Sequence, residues 1–116
     1  MNSKKIGEKT LINLTPHPIN LIKDGEVVDV IPAPEDKNMI PRLKEEIEEI
    51  GKIGDYPIVK KKYGTANTIP EPKEGVYYIV SALVASALKR DDLLVPNVVR
   101  NEEGQIIGAD GFAKIN

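Results

Sequence analysis

The sequence predicts a small α+β domain of about six short, mostly antiparallel strands and two helices. The chain has 116 residues, which is the length of one domain. Short runs of β-branched and apolar residues alternate with turn-forming glycine, proline and asparagine. Two other segments repeat apolar residues at helical spacing. Strands and helices therefore occupy separate stretches of the chain.

Residues 10–116 are expected to form this domain, because turn signals and apolar runs continue throughout. Residues 1–9 are polar and are predicted to be a flexible lead-in. A first strand is predicted over residues 10–14. The segment Thr15-Pro16-His17-Pro18 ends it, since each proline fixes φ and removes a backbone donor.

A hairpin is predicted next, with strands over 19–22 and 27–31. Asp24-Gly25 lies between these two apolar runs, and such a pair is the strongest short hairpin signal in a sequence. The prolines at 32 and 34 end the second strand.

A first helix is predicted over residues 41–50. Pro41 suits the first helical turn and Gly51 suits the end. Apolar residues recur at the helical spacing, namely Leu43, Ile47 and Ile50. The remaining positions are acidic or basic, so we expect an amphipathic surface helix with an acidic outer face.

The segment Tyr56–Tyr63 predicts a strand that is basic in its second half. Residues 64–75 follow as a loop rich in proline, glycine and asparagine. A connection of that length is unusual in a small domain and is often a binding loop.

The most apolar part of the chain comes next. A strand is predicted over 76–80, and a helix over 81–90 begins at Ser81. Apolar residues cover most of the helical circumference, so this helix is expected to be core and Leu83 to be buried. A last hairpin is predicted between 98–100 and 105–107, with Gly104 at a left-handed turn position.

Composition excludes several classes of function. A net charge of -2 argues against a protein that binds duplex nucleic acid, which needs a dominant basic face. No cysteine is present, so disulfides and thiolate metal sites are excluded. No metal site or cofactor is predicted, and neither a signal peptide nor a membrane span is visible. The protein is expected to be cytoplasmic.

Six residues are candidates for binding a phosphorylated ligand. Tyr63 is expected to stack on a base, Asn67 to bond a base or ribose, and Ser81 to offer a helix terminus. The other three are two arginines and a histidine, Arg90, Arg100 and His17. The competing structural roles are a helix cap at Ser81, a rigid turn at His17, and ion pairs between the arginines and neighbouring acidic residues.

No catalytic residue is predicted. His17 is the only histidine, it lies between two prolines, and no nucleophile motif accompanies it. The alternative is a small enzyme in which His17 acts with Asp91 or Asp110. Phosphate-loop and dinucleotide-binding motifs are missing.

Several blocks resemble a family of small proteins from phages and prophages. They begin with Leu14-Thr15-Pro16-His17 after a strand and continue as YIVSALV at 78–84, RDDLLVP at 90–96 and VRNEEGQIIG at 99–108. Small phage proteins without catalytic groups are often inhibitors or counter-defence factors. Some are sponges that sequester nucleotide-type immune signals.

The resemblance implies a phage context. By analogy of size, context and lack of catalytic residues with such sponges, we expect a non-enzymatic phage counter-defence protein, acting in the bacterial cytoplasm, that sequesters a nucleotide-derived signal such as a cyclic nucleotide. A homo-oligomer is expected, since ligand sites favour interfaces and one small domain offers little concavity. The alternative is a protein-binding inhibitor of a host or defence enzyme that acts through an exposed surface, for instance the acidic face of 41–50.

Overall fold

The computed structural model describes residues 2–65 and 69–115, which form nine strands and one α-helix. The strands are β1 Ser3–Ile6, β2 Lys9–Asn13, β3 Ile19–Lys23, β4 Glu26–Ile31, β5 Leu43–Ile53, β6 Tyr56–Thr65, β7 Val76–Ile79, β8 Leu93–Arg100 and β9 Ile106–Ala113. The helix is α1, Ala82–Leu88, and a 3₁₀ turn covers Lys37–Met39.

The predicted α+β class with two helices is wrong. The protein is mostly β, with 54% of residues in strands and 9% helical, and a single α-helix lies in the described residues. The expectation of a mostly antiparallel sheet is also wrong. A seven-stranded sheet runs in the order β1-β2-β7-β8-β9-β3-β4, and three of its neighbouring pairs are parallel: β2 with β7, β7 with β8, and β3 with β9. This mixed sheet curls into a nearly closed, barrel-like form.

The helix predicted over 41–50 is instead β5, which pairs with β6 in a separate antiparallel hairpin. Glutamate, lysine and leucine favour a helix locally, but strand pairing overrides that preference. Glu46 lies opposite Lys62 and Glu48 opposite Lys60, and such cross-strand neighbours of opposite charge favour the strand pairing. Gly54, with a φ of 58°, starts the two-residue turn at the tip, where such turns favour glycine.

The β5–β6 hairpin projects from the body as an arm. A strand of 11 residues is about 35 Å long. The molecule accordingly measures 54 Å along its longest axis, and its radius of gyration of 17.0 Å exceeds the value of about 13 Å typical of a compact chain of this length. We call residues 43–65 the arm.

The two outer strands of the seven-stranded sheet are joined at a seam. Lys4 of β1 bridges Asp29 of β4 through an ion pair of 2.5 Å between Nζ and Oδ2. Residues 3–6, expected to be loose, are therefore held in a strand, which pairs with β2 through backbone bonds that need no apolar pattern. The Lys4 hydrogen bond holds the pKa of the Asp29 carboxyl below its ordinary value, so the pair stabilises the fold at neutral pH and loses that contribution as the pH falls through the folded pKa. Partial exposure keeps the contribution small.

Asn13 lies at the same seam and is fully buried, with 0% exposure. Its Nδ2 donates to the carbonyl oxygens of His17, Ile31 and Pro32 at 2.9, 3.2 and 3.2 Å. Its Oδ1 accepts from the backbone N–H of Thr15 at 2.9 Å and from the Thr15 hydroxyl at 2.7 Å. One side chain thus ties the end of β2 to the end of β4 and to the turn that follows β2.

Two apolar cores lie on opposite faces of the sheet. The inner core fills the barrel with residues from five strands, namely Leu11, Ile19, Ile31, Ile79 and Ala109. The outer core lies between the sheet and α1, and its members are Leu14, Ile69, Tyr78, Val80, Val84, Ala85 and Leu93. Alternate residues of β7 enter the two cores, because successive side chains of a strand point to opposite faces.

Both short hairpins are confirmed. β3 and β4 pair around Asp24 and Gly25, whose φ angles are 53° and 81°, and two left-handed residues define the turn that an Asp-Gly pair favours. β8 and β9 pair at Arg100 and Ile106, and Gly104 in the connecting loop has a φ of 82°. The left-handed position predicted for Gly104 is therefore correct.

The helix predicted over 81–90 is present as the shorter α1, and Ser81 caps it by accepting a hydrogen bond from the Val84 N–H at 3.3 Å. It is less buried than expected. Val84 and Ala85 are buried, but Leu83 is 53% exposed. The prediction that Leu83 is a core residue is wrong, because the sheet covers one side of α1 and the hydrophobic pattern alone does not say which side.

Replacing Leu83 by Ala is expected to reduce the free energy of unfolding by less than about 1 kcal/mol, since half of the side chain already meets water and alanine favours helix. Chemical denaturation monitored by circular dichroism measures this. A loss as large as that of a buried leucine would show that α1 packs differently.

Candidate functional site

A pocket of about 420 Å³ opens at one end of the barrel, beside the turn that follows β2. Its walls come from that turn, the start of β3, the end of β7 and the β8–β9 hairpin. The lining residues are Thr15, His17, Pro18, Ile19, Asn20, Val80, Ser81, Pro96, Val98, Ile106, Ile107, Gly108 and Ala109. Most of this surface is apolar, and its polar groups are confined to the side formed by the turn, Asn20 and Ser81.

The turn that carries His17 is held rigidly. The His17 carbonyl accepts hydrogen bonds from Asn13 Nδ2 at 2.9 Å and from the Thr15 hydroxyl at 3.0 Å. Two flanking prolines restrict the backbone further. The imidazole is exposed at the pocket wall. A fixed backbone with a free side chain suits a residue that contacts a ligand.

Ser81 faces the same pocket from the end of β7. Its hydroxyl oxygen already accepts from the Val84 N–H, so the structural role of a helix cap is filled. α1 has only seven residues, which weakens the anion-binding role expected of its N-terminus. The serine hydroxyl keeps its own O–H as a donor toward the pocket.

The pocket floor depends on a glycine. A Cβ on Gly108 would lie 2.5 Å from the carbonyl oxygen of Asn20 and 2.7 Å from Cδ1 of Ile22. β9 can therefore approach β3 closely only because this position has no side chain. The Asn20 amide donates to the Ile107 carbonyl across the gap at 3.5 Å, a weak bond that leaves the amide available at the pocket.

Arg90 lies outside this pocket and is fully engaged. Its guanidinium forms a two-bond ion pair with Asp92, with N···O distances of 2.9 and 2.6 Å, and donates to the Pro70 carbonyl at 2.9 Å. It also lies 5.8 Å from the centre of the Tyr78 ring. The structural role weighed for Arg90, an ion pair with a neighbouring aspartate, is present and ties the 69–72 segment to the outer core.

The remaining candidates are dispersed. Arg100 donates to the Gly104 carbonyl at 2.9 Å, at the outer end of the β8–β9 hairpin. Tyr63 lies on the arm and is 45% exposed. Asn67 lies outside the described residues. The structure thus brings His17 and Ser81 together at one pocket, with Arg100 farther along the strand that carries Val98.

The partners considered for an enzymatic His17 lie elsewhere. Asp110 accepts a hydrogen bond from Asn97 at 2.9 Å, and none of the described bonds joins either aspartate to the imidazole. Asp91 lines a shallower pocket of about 230 Å³, together with Asp92 and three lysines, Lys9, Lys73 and Lys114.

Within residues 2–65 and 69–115, no three histidine or carboxylate side chains are grouped so as to hold a metal ion. In the same ranges no helix combines the length and the hydrophobicity needed to cross a bilayer.

Sequence reasoning missed the apolar walls of the pocket and Asn20. Val98, Ile106 and Ile107 look like ordinary strand residues, and only the pairing of β8 with β9 and of β9 with β3 places them around one opening. A usable signal existed in Gly108, since a glycine inside a strand often marks the close approach of another backbone.

The chain matches no known protein-family profile, no curated protein and no solved structure. The resemblance to small phage proteins therefore stays a prediction.

Proposed function

We propose that this protein is a non-enzymatic binding protein that sequesters a small nucleotide-derived signal in the pocket beside His17. The pocket carries this proposal. Its volume of about 420 Å³ falls within the range of about 300–1,000 Å³ typical of small-molecule sites. Largely apolar walls with a few convergent polar groups are also typical of such sites.

The chemistry of the walls favours a ligand with a flat, weakly polar body, such as a nucleobase. Apolar side chains of the β8–β9 hairpin can cover its faces, with Val98 and Ile107 among them. His17 can stack or hydrogen-bond, and the Asn20 amide can bond a base edge. Both groups lie on the polar side of the pocket.

We assign Arg100 to the charged part of such a ligand. It belongs to the strand that forms one wall, two residues beyond Val98. One of its five N–H donors bonds the Gly104 carbonyl, and the other donors can pair with a phosphate. The arginine then binds at the rim while the base occupies the apolar interior.

In the context that the sequence resemblance suggests, the protein is a phage counter-defence sponge in the cytoplasm of a bacterial host. Binding without turnover would lower the free concentration of an immune signal. The ligand panel for testing this consists of cyclic di- and trinucleotides and cyclic ADP-ribose isomers.

Filling the pocket is expected to abolish this binding. In Ile107→Trp, a large ring replaces a 40% exposed side chain at the pocket wall and occupies the ligand's space. The matched control is Val28→Trp, at a 60% exposed site outside the pocket. Isothermal titration calorimetry of both variants and of Arg100→Ala, against the panel, is the measurement. Mass spectrometry of small molecules released from the purified protein identifies a ligand retained from the host.

We expect Ile107→Trp to lose binding, Val28→Trp to retain it, and Arg100→Ala to weaken it by roughly 2–5 kcal/mol where the phosphate is desolvated. Equal binding by Ile107→Trp and the wild type would rule out this pocket. No binding anywhere in the panel, with no retained ligand, would reject the sponge function. Turnover that disappears in His17→Ala would instead favour the small-enzyme alternative.

One observation favours a second candidate, a protein-binding inhibitor. The acidic residues assigned by sequence to a helix face lie on the projecting arm together with exposed apolar side chains. An exposed element of mixed apolar and charged character is suited to binding a protein.

A further inference from the structure

The arm exposes many large apolar side chains to solvent. Seven large side chains on it are between 38% and 77% exposed, namely Ile47, Ile50, Ile53, Tyr56, Ile58, Val59 and Tyr63. By strand register, Ile53, Tyr56 and Ile58 share one face of the arm with Glu46, Glu48, Lys60 and Lys62, and Ile47, Val59 and Tyr63 lie on the other face. Scattered exposed apolar residues are normal on a protein surface, but several on one face of an element mark an interaction surface.

The body of the protein gives the arm little support. Leu43, at its base, packs against the outer core, and β6 approaches α1. Within the described residues, the arm's contacts are mainly those between its own two strands. A two-stranded hairpin alone is marginally stable in water. Strands of 11 and 10 residues therefore gain stability if another surface covers them.

Charge divides the arm lengthwise. β5 carries four glutamates, Glu45, Glu46, Glu48 and Glu49, and β6 carries three consecutive lysines, Lys60, Lys61 and Lys62. Within the hairpin, an ion pair of 3.0 Å joins Lys61 Nζ to Glu45 Oε1. That hydrogen bond raises the pKa of Lys61 above its ordinary value.

The separation of acidic and basic residues on different strands favours one way of packing a second arm against the first. Like strands brought together place glutamates against glutamates or lysines against lysines, which is destabilising. An acidic strand against a basic strand pairs opposite charges and brings the apolar residues of two arms together. A second copy of the chain supplies both the apolar surface and the acidic and basic strands that this packing requires.

We propose that the arm is the interface through which two copies of this chain associate, with β5 of each copy against β6 of the other. Two equivalent contacts of this kind satisfy two-fold symmetry, in which the same patch is used on both subunits. This interface is independent of the ligand pocket, so the two proposals succeed or fail separately.

A charge-exchange experiment tests the arrangement. One variant, Glu46→Lys with Glu48→Lys, reverses the charge of β5 on the face that it shares with Lys60 and Lys62. Another variant, Lys60→Glu with Lys62→Glu, reverses the charge of β6 on that same face. Each alone is expected to sediment as a monomer at concentrations where the wild type sediments as a dimer. Mixed in equal amounts, they are expected to form a mixed dimer, because each basic strand again meets an acidic one.

The mixture separates the interface from the hairpin itself. Both variants also place like charges across their own strands, and mixing does not repair those contacts. Recovery of the dimer in the mixture therefore reports pairing between copies. Failure of the mixture to associate would overturn the proposed arrangement of charges.

A second pair of variants tests the apolar part. Ile53→Thr with Ile58→Thr keeps β-branched residues in the strands and removes apolar surface from the face that carries the exchanged charges, and is expected to weaken the dimer at least tenfold. The control, Val27→Thr with Val28→Thr, alters residues of 55% and 60% exposure on β4 and is expected to leave the dimer unchanged. The proposal would be rejected if the wild type stays monomeric across the concentration series. It would also be rejected if the wild type co-purifies in fixed ratio with a different protein, because the arm would then bind that protein and not a second copy.

Discussion

Replacing Asn13 by Ala is expected to reduce the free energy of unfolding by about 3 kcal/mol or more. Removing the side chain leaves buried polar groups without a hydrogen-bond partner, and each such group costs about 1–3 kcal/mol. The Asn13 side chain serves the carbonyl groups of Ile31, Pro32 and His17 and the N–H of Thr15. Asn13 and Ile31 are both 0% exposed, so the bond between them is buried, and the bonds to His17, Pro32 and Thr15 are partly buried. The variant also loses the side chain that ties the end of β2 to the end of β4.

Asn101→Ala is the matched control for this experiment. The Asn101 side chain makes three hydrogen bonds, accepting from the N–H groups of Glu103 and Gln105 and donating to the Gln105 side chain, but it lies exposed in the β8–β9 loop. Water replaces those bonds, so its loss is expected to be about 1 kcal/mol or less. Urea unfolding curves of both variants give the comparison. Equal losses of unfolding free energy in the two variants would mean that the hydrogen bonds of Asn13 are no more important to stability than those of an exposed asparagine.

Replacing Ile79 by Ala is expected to cost about 2–5 kcal/mol, the range for truncating a buried aliphatic side chain. Ile79 is 0% exposed and belongs to the inner core. Its strand, β7, has parallel neighbours on both sides, so the barrel wall cannot easily collapse into the cavity.

The control for Ile79 is Ile106→Ala, which removes the same atoms from a 57% exposed position. Its cost is expected to stay within about 1 kcal/mol, as for most surface substitutions. Thermal unfolding of both variants measures the difference. A cost at Ile79 no larger than that at Ile106 would show that the barrel interior is not the stabilising core.

Features determined by neighbouring residues could be predicted from the sequence. Asp24-Gly25 fixes its hairpin through two left-handed residues, Gly104 fixes its turn, and Ser81 caps α1 through its own hydroxyl. Each of these signals acts over a few residues, so no knowledge of the rest of the fold is needed.

Features determined by distant partners could not be predicted. The spacing of Leu43, Ile47 and Ile50 suits a helix, and only the lysines of β6 opposite the glutamates make a strand the better state. β1 has no apolar alternation because it is an outer strand held by its backbone and by Lys4.

In the candidate site too, the parts set by neighbouring residues could be predicted and the parts set by distant strands could not. His17 was recognisable as a fixed turn residue, and Ser81 as the end of a strand, and both lie at the pocket. The ion pair of Arg90 with Asp92 was visible in the sequence as an alternative, and the structure adds the Pro70 carbonyl that completes it. The pocket itself depends on β9 lying between β3 and β8, an order that no local pattern reveals.

The parallel pairs of the sheet also govern when the barrel can form. β2 needs β7 beside it, with Thr10 opposite Val76, and β3 needs β9, with Leu21 opposite Ala109. Contacts between such distant parts of a chain slow folding, because the loop must close before the contacts repay its entropy. During synthesis, the β3–β4 hairpin and the arm can form from local contacts, but the inner core stays open until β9 has left the ribosome. We therefore expect the strands made first to remain unpaired in water until β9 is complete. The charged residues of β1 and the arm favour contact with water during that time.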